Sequence, residues 1–344
     1  MGTSAGLASH GVVSKVKILR LAGVFLVLAA VAGCSSSPTA PTPPAPPPPP
    51  VVVVPNPPTV ACPSAVTRST LGPGMTITYD TPTAEGGQAP VTVACDPPSG
   101  GTFAIGSTEV RCTATDALNR SASCAFPVTI SRQALLSKTS FLAFGDSITV
   151  GVVSEVNPAG TPPYILTDVP NDAYPTVLQR LLAARYTSQA ITVRNEGKGG
   201  EKVVDGVGRA QSVINGNRPE VVLIMSGYND LSTGGEAAIE PAIAAITAIA
   251  KDARFRGARV FMATLSPPPV GVNRGISNLT IVRFNEALRA AARGEVAVLV
   301  DVYGALAPDA NRYNSADGRH LSIEGYRKVA ETFFAAIQAD LEVR

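Results

Sequence analysis

The 344-residue chain contains no tryptophan, and phenylalanine and tyrosine together supply only 5% of it. That scarcity argues against an aromatic platform of the kind on which sugar rings stack. Histidine is nearly absent as well. Two are present, too few for most two-metal hydrolytic sites, and no His-x-x-x-His or His-x-Asp pair occurs, which disfavours metal-dependent phosphoester hydrolysis. Neither sign of charge dominates: 28 basic residues face 26 acidic ones, so the concentrated positive face that nucleic acid requires is missing. Cys-x-x-Cys spacing is also lacking, which disfavours structural zinc. No metal or cofactor is expected, and no nucleic-acid partner.

What is present divides into segments. Lys15, Lys17 and Arg20 precede an apolar run from Leu21 to Ala32 and the small residues of Val31-Ala32-Gly33-Cys34. The run falls short of the ~20 residues that span a bilayer and has the layout of an export signal. The last four residues resemble a bacterial lipobox, which implies cleavage after residue 33, lipidation of Cys34 and attachment to a membrane. An ordinary signal peptide with an incidental cysteine is the alternative. Ser35 follows Cys34, and by the same resemblance the outer membrane is favoured if the envelope is Gram-negative. Without the three leader bases the formal charge moves from +2 to −1. From Pro38 to Pro58 proline dominates, and the 34–58 segment reads as an extended linker, able to hold the folded domains ~60 Å from a surface.

Cys62, Cys95, Cys112 and Cys124 remain as an even set in one short region, which predicts two disulfides and an oxidising, extracytoplasmic location. Four cysteines allow three pairings, and the sequence does not decide among them; Cys62 with Cys124 and Cys95 with Cys112 is the preferred one. Around them, residues 59–131 alternate short β-branched runs with Gly, Pro, Asp and Asn clusters, the pattern of a small all-β sandwich. Gly106–Asp116, Asn119 and Cys124 resemble the hyalin-repeat (HYR) domain, an immunoglobulin-like module that implies a spacer or a binding role.

After a linker at 132–138, the pattern over 139–344 changes to buried strands alternating with amphipathic helices. Strands are predicted at Phe141–Phe144, Ile191–Arg194, Val221–Met225, Arg259–Ala263 and Val296–Val300. Helices are predicted at Tyr174–Tyr186, Val204–Ile214, Glu236–Ala253, Val282–Ala292 and Ser322–Leu341. The alternation predicts an α/β fold, a five-stranded doubly wound parallel sheet, with the all-β sandwich as a smaller N-terminal domain. Ligands of such sheets bind beyond the carboxyl ends of the strands.

Four short segments lie at those ends. Gly145-Asp146-Ser147 follows the first strand and could present the serine hydroxyl, although such a tripeptide alone is often only a turn. Asn195–Gly200 follows the second, where glycines allow backbone N–H groups close to a ligand oxygen; the spacing of a phosphate-binding loop is missing. Gly227-Tyr228-Asn229-Asp230 follows the third and brings an amide to the same edge. Asp317-Gly318-Arg319-His320 precedes the last helix. With His10 in the leader, His320 is the only imidazole left after export, and an acid three residues before it can hold the ring by Nδ1–H and leave Nε2 as a base.

In this order and at these strand ends, the four segments resemble the SGNH or GDSL hydrolases, over about residues 139–344, with their flavodoxin-like sheet. The resemblance implies Ser147 as nucleophile, His320 as general base and Asp317 as its orienting acid. It also implies an oxyanion hole formed by the Ser147 and Gly200 N–H groups and the Asn229 side chain. Asp146 and Asp230 read as local hydrogen-bonding residues. Two departures from the family's habit stand out: Glu201-Lys202 where Thr or Ser is common shortly after the glycine of the second segment, and Leu321 where Pro is common after the histidine. Both bear on pocket shape. The expected activity is hydrolysis of carboxylic esters on a small molecule or polysaccharide, with short acyl groups on carbohydrate or cell-wall sugars preferred. Lysophospholipase or lipase-like activity, acyl transfer, and a non-catalytic adhesion or glycan-binding lipoprotein are the alternatives. Gly151–Asp172 and Ser266–Pro269 are expected to border the pocket.

Overall fold

The computed structural model describes residues 53–271 and 276–343. The leader, Cys34 and most of the proline-rich linker lie outside the described residues.

The larger part is organised around five parallel strands: β1 (Ser140–Gly145), followed later in the chain by β4 (Thr192–Gly197), β5 (Val221–Met225), β6 (Arg259–Ala263) and β7 (Val298–Val300). Their spatial order is β4-β1-β5-β6-β7, the doubly wound arrangement expected from the sequence. Strands covered on both faces must be apolar on both. Phe141 and Ala143 accordingly face one helical layer and Leu142 and Phe144 the other. On the first face lie α2 (Tyr174–Arg185) and α7 (Ile323–Leu341), where the Tyr174 and Phe333 rings stack with centroids 5.2 Å apart. Against the second lie α3 (Val203–Asn217), α5 (Ile239–Phe255) and α6 (Asn278–Gly294), burying Ala210, Ile249, Phe284 and Leu288.

Several details differ from the sequence reading, three of them bearing on the site or the sheet. The last strand starts at Val298 and not Val296, because Val296 takes a left-handed backbone (φ 52°) and Ala297 N–H is still bonded to Ala292 at the end of α6. The stretch 151–172, to which the sequence assigns no element, contains a hairpin of β2 (Val152–Val156) and β3 (Tyr164–Asp168), joined by a Pro-rich tip. The expected linker at 132–138 carries a short strand, Leu135–Leu136, paired antiparallel with Glu342–Val343, and Leu136 is buried in the core.

The smaller, N-terminal region is all strands. Val66–Thr70, Ser121–Arg132, Gly106–Thr115 and Thr92–Asp96 form a four-stranded sheet; Gly74–Ile77 and Gly101–Ala104 form a second, and Ile77, Phe103, Val110, Phe126 and Val128 share one core. Cys62 bonds Cys124 and Cys95 bonds Cys112, the pairing preferred from sequence. Among the described residues no helix is long and apolar enough to cross a membrane.

Candidate active site

Chain order β1, β4, β5 with spatial order β4-β1-β5 means that successive crossovers leave β1 in opposite directions, which opens a crevice beyond its carboxyl end. Ser147 stands there, at the start of the one-turn helix α1 (Ser147–Val150). The turn is tight because its glycines permit it. A Cβ on Gly145 would collide with the Met225 carbonyl and Thr149 Oγ1, and one on Gly197 with the backbone nitrogen of Val150. Asp146 caps α1 by accepting a hydrogen bond from Ile148 N–H (3.0 Å), as its local reading anticipated. The Asp146 side chain is buried, and burial pushes its carboxyl up to about 6, against the opposing influence of that N–H and of His320.

Asp317 and His320 arrive on the loop before α7, whose first turn is capped by Ser322 Oγ. One Asp317 oxygen accepts the backbone N–H of both Arg319 and His320 (2.9 Å each), and the other lies 2.6 Å from His320 Nδ1. The opposite ring nitrogen, Nε2, is 2.9 Å from Ser147 Oγ. Burial alone would raise the Asp317 carboxyl, but the bonds from His320 and Arg319 outweigh it and hold the group well below the ordinary carboxylate range. With Oδ2 ionised, Nδ1 carries the proton and Nε2 is left as an acceptor for the serine hydroxyl. Ser154, which sequence reasoning missed, braces this loop from β2: its hydroxyl accepts Asp317 N–H and contacts Ser315 Oγ, both at 2.8 Å. A lone serine in a stretch with no assigned element carries no signal by which it could have been found.

Gly200 lies on the exposed loop after β4 in a left-handed backbone (φ 73°). Asn229 sits in the first turn of α4 (Tyr228–Gly234) after β5, and its Nδ2 donates one hydrogen to the Glu201 carbonyl at 3.0 Å, leaving the second amide hydrogen for another acceptor. Asp230 turns away to accept Val203 N–H (2.8 Å) and Val204 N–H (3.3 Å) at the start of α3, and burial raises its carboxyl despite those bonds. Beside Asp317, Arg319 and His320 the hairpin tip forms a cavity of about 350 Å³ with Pro163, Tyr164 and Leu166. The other segment expected at the pocket, Ser266–Pro269, reaches a different cavity, which Pro268 and Pro269 line with Val270 and Ile276. Among the described residues no three His, Cys, Asp or Glu side chains gather in a group that could hold a metal ion.

Residues 143–328, more than half of the chain, match the model of the GDSL-like lipase/acylhydrolase family. The chain belongs to that family. It is an ester hydrolase of the GDSL type, and its residues 53–130 match the HYR domain. No curated protein matches the chain. Among solved structures it is similar to the lipase/acylhydrolase from Enterococcus faecalis, at 20% identity and TM-score 0.49 over 59% of this chain and 97% of that one. It is similar also to a catalytic mutant of an acetylxylan esterase from Geobacillus stearothermophilus, at 19% identity and TM-score 0.47, over 59% of this chain and 94% of that one. A psychrotrophic esterase from Pseudoalteromonas sp. is similar at 17% identity and TM-score 0.45, over 58% and 96% respectively. In this GDSL-type hydrolase the four sequence segments thus meet at one sheet edge, with Ser147, His320 and Asp317 in one hydrogen-bonded line.

Proposed function

We propose that the chain is an exported, lipid-anchored serine esterase that removes short acyl groups, acetyl foremost, from carbohydrate or cell-wall sugars. Cys34 is its anchor to the membrane, and the HYR domain stands between anchor and active site as a spacer. The observation that carries the catalytic reading is the 2.9 Å contact from Ser147 Oγ to an imidazole whose far nitrogen is held by Asp317 at 2.6 Å. Ser147 Oγ attacks the ester carbonyl carbon while its proton passes to His320 Nε2. The carbonyl oxygen, now an oxyanion, is received by the Ser147 and Gly200 N–H groups and Asn229 Nδ2. As the C–O bond to the alcohol breaks, the imidazolium returns the proton to the departing oxygen, leaving an acyl-serine. Water then repeats the sequence in reverse. General base catalysis of this kind contributes roughly 10²–10⁴-fold.

The preference for short chains draws on the modest cavity beside His320, of about 350 Å³. Hydrolysis of longer acyl or lysophospholipid esters is the second reading, favoured by Ile165 and Leu166, which stand exposed on the hairpin at the site. Turnover of p-nitrophenyl acetate, butyrate and decanoate separates the two. The short-acyl reading expects kcat/KM to fall steadily from acetate to decanoate, and a rise toward decanoate replaces it with the lipase-like one.

A further inference from the structure

An exposed glycine loop and an amide side chain can serve as oxyanion donors only if something holds them in register with Ser147. The loop between β4 and α3 has no regular structure of its own. Within it the Glu201 side chain is tucked in, 7% exposed. Room for it comes from Gly206 on α3, where a Cβ would stand 2.9 Å from Glu201 Oε2. Glycine inside a helix costs about 1 kcal/mol relative to alanine, and here the space is taken by a carboxylate.

Arg209, one turn further along α3, answers that carboxylate. Its Nε lies 3.0 Å from both oxygens and its Nη2 2.5 Å from Oε2, while Lys198 Nζ stands 3.3 Å from Oε1. The same guanidinium donates through Nη1 to the Glu196 carbonyl (2.9 Å) and through Nη2 to the Gly145 carbonyl (3.4 Å), and it lies over the Phe144 ring at 4.3 Å. One side chain therefore joins the end of β1, two residues before the nucleophile, to the end of β4 and to Glu201. Glu201 extends the link, since its own carbonyl accepts the Asn229 amide. Burial would raise the Glu201 carboxyl, but Arg209 and Lys198 outweigh it and keep it below its ordinary value.

We propose that the Arg209–Glu201 pair is the positioning device of the oxyanion pocket, setting Gly200 N–H and Asn229 Nδ2 against Ser147. The proposal rests on the serine-esterase reading above. Both act through other groups of the protein, so both are positioning residues. Lysine would keep the charge at 209 but offers a single nitrogen where the guanidinium spreads its donors over Nε, Nη1 and Nη2 in a planar fork.

The test is kcat and KM on p-nitrophenyl acetate, per active site counted by stoichiometric phosphonylation of Ser147, for Glu201→Gln, Arg209→Lys, the double variant, and Glu201→Gln combined with Asn229→Ala. Outright loss of a donor costs on the order of 10²–10³ in kcat; donors displaced but present cost less. Each single variant is expected to lower kcat about tenfold or more with KM changed less than about twofold, because the loss falls on the transition state. The double variant is expected to be no worse than the poorer single, and Glu201→Gln to cost a smaller factor in the Asn229→Ala background. An unchanged kcat per titrated site with a lowered Tm overturns the proposal and leaves the pair a purely structural one. Full activity in Arg209→Lys, or an undiminished factor in the Asn229→Ala background, overturns it as well. A wild type no more active than Ser147→Ala is a separate result, bringing down the esterase reading itself and the positioning role with it.

Discussion

Replacing Asp146 with asparagine should make the protein more stable at neutral pH and should flatten part of its pH dependence. The Asp146 side chain is buried, and its carboxyl is pushed up to about 6, whereas an exposed aspartate titrates near 3.9. The folded state therefore holds the proton about a hundredfold more tightly than the unfolded one, equivalent to about 3 kcal/mol. The sign comes from linkage. Between about pH 4 and 6 the native state binds more protons, so this group's contribution is fully present below about 4 and lost as pH rises through 6. An asparagine side chain can still accept the Ile148 N–H but cannot ionise. Denaturant unfolding at intervals from pH 4 to 8 is the assay, read as the difference between Asp146→Asn and wild type. That difference should grow in favour of the variant by on the order of 3 kcal/mol across the window. Asp317 does not interfere, because its depressed carboxyl acts in the opposite sense: its contribution stands above about 4 and is lost only as pH falls below that. Parallel stability curves for the two proteins would refute the account of Asp146.

Two further outcomes are expected from the site's geometry. Asp317→Asn should lower kcat by about 10⁴-fold, since an amide no longer enforces the Nδ1–H tautomer; steady-state kinetics at pH 8 checks it, and a loss under about tenfold would remove Asp317 from the orienting role. Gly197→Ala should destabilise the fold by ~1–3 kcal/mol and lower kcat together, because the added methyl meets the Val150 backbone behind Ser147. Thermal unfolding and kinetics on the same sample would show both effects, and a variant matching wild type in both would contradict the close approach.

Much of the fold was legible because the sheet is covered on both faces: runs such as Phe141–Phe144 and Val221–Met225 have no polar face to blur the signal. Boundaries were less legible where tertiary contacts decide them. Helix α6 starts at Asn278, four residues before the apolar spacing begins, because the Ser277 hydroxyl caps it by accepting Thr280 N–H. The β2–β3 hairpin was hidden by its Pro- and Gly-rich tip and by strands whose apolar residues, Val156, Ile165 and Leu166, stay exposed. In the site, Ser147, Gly200, Asn229, Asp317 and His320 could be picked out because each sits in a short pattern at a strand end or before a helix. Ser154 and Arg209 could not, and Glu201 stood out only as a departure from the family's habit. The partner of Ser154 lies 163 residues away, and the half-buried Arg209–Glu201 pair depends on a gap left by Gly206, which no local pattern reports.

The central claim, nucleophilic catalysis by Ser147 with His320 as base, is tested most directly by comparing wild-type residues 35–344 with Ser147→Ala and His320→Ala on p-nitrophenyl acetate at pH 8. The account predicts turnover by the wild type and a fall of about 10³-fold or more in each variant. Variants as active as the wild type would contradict it.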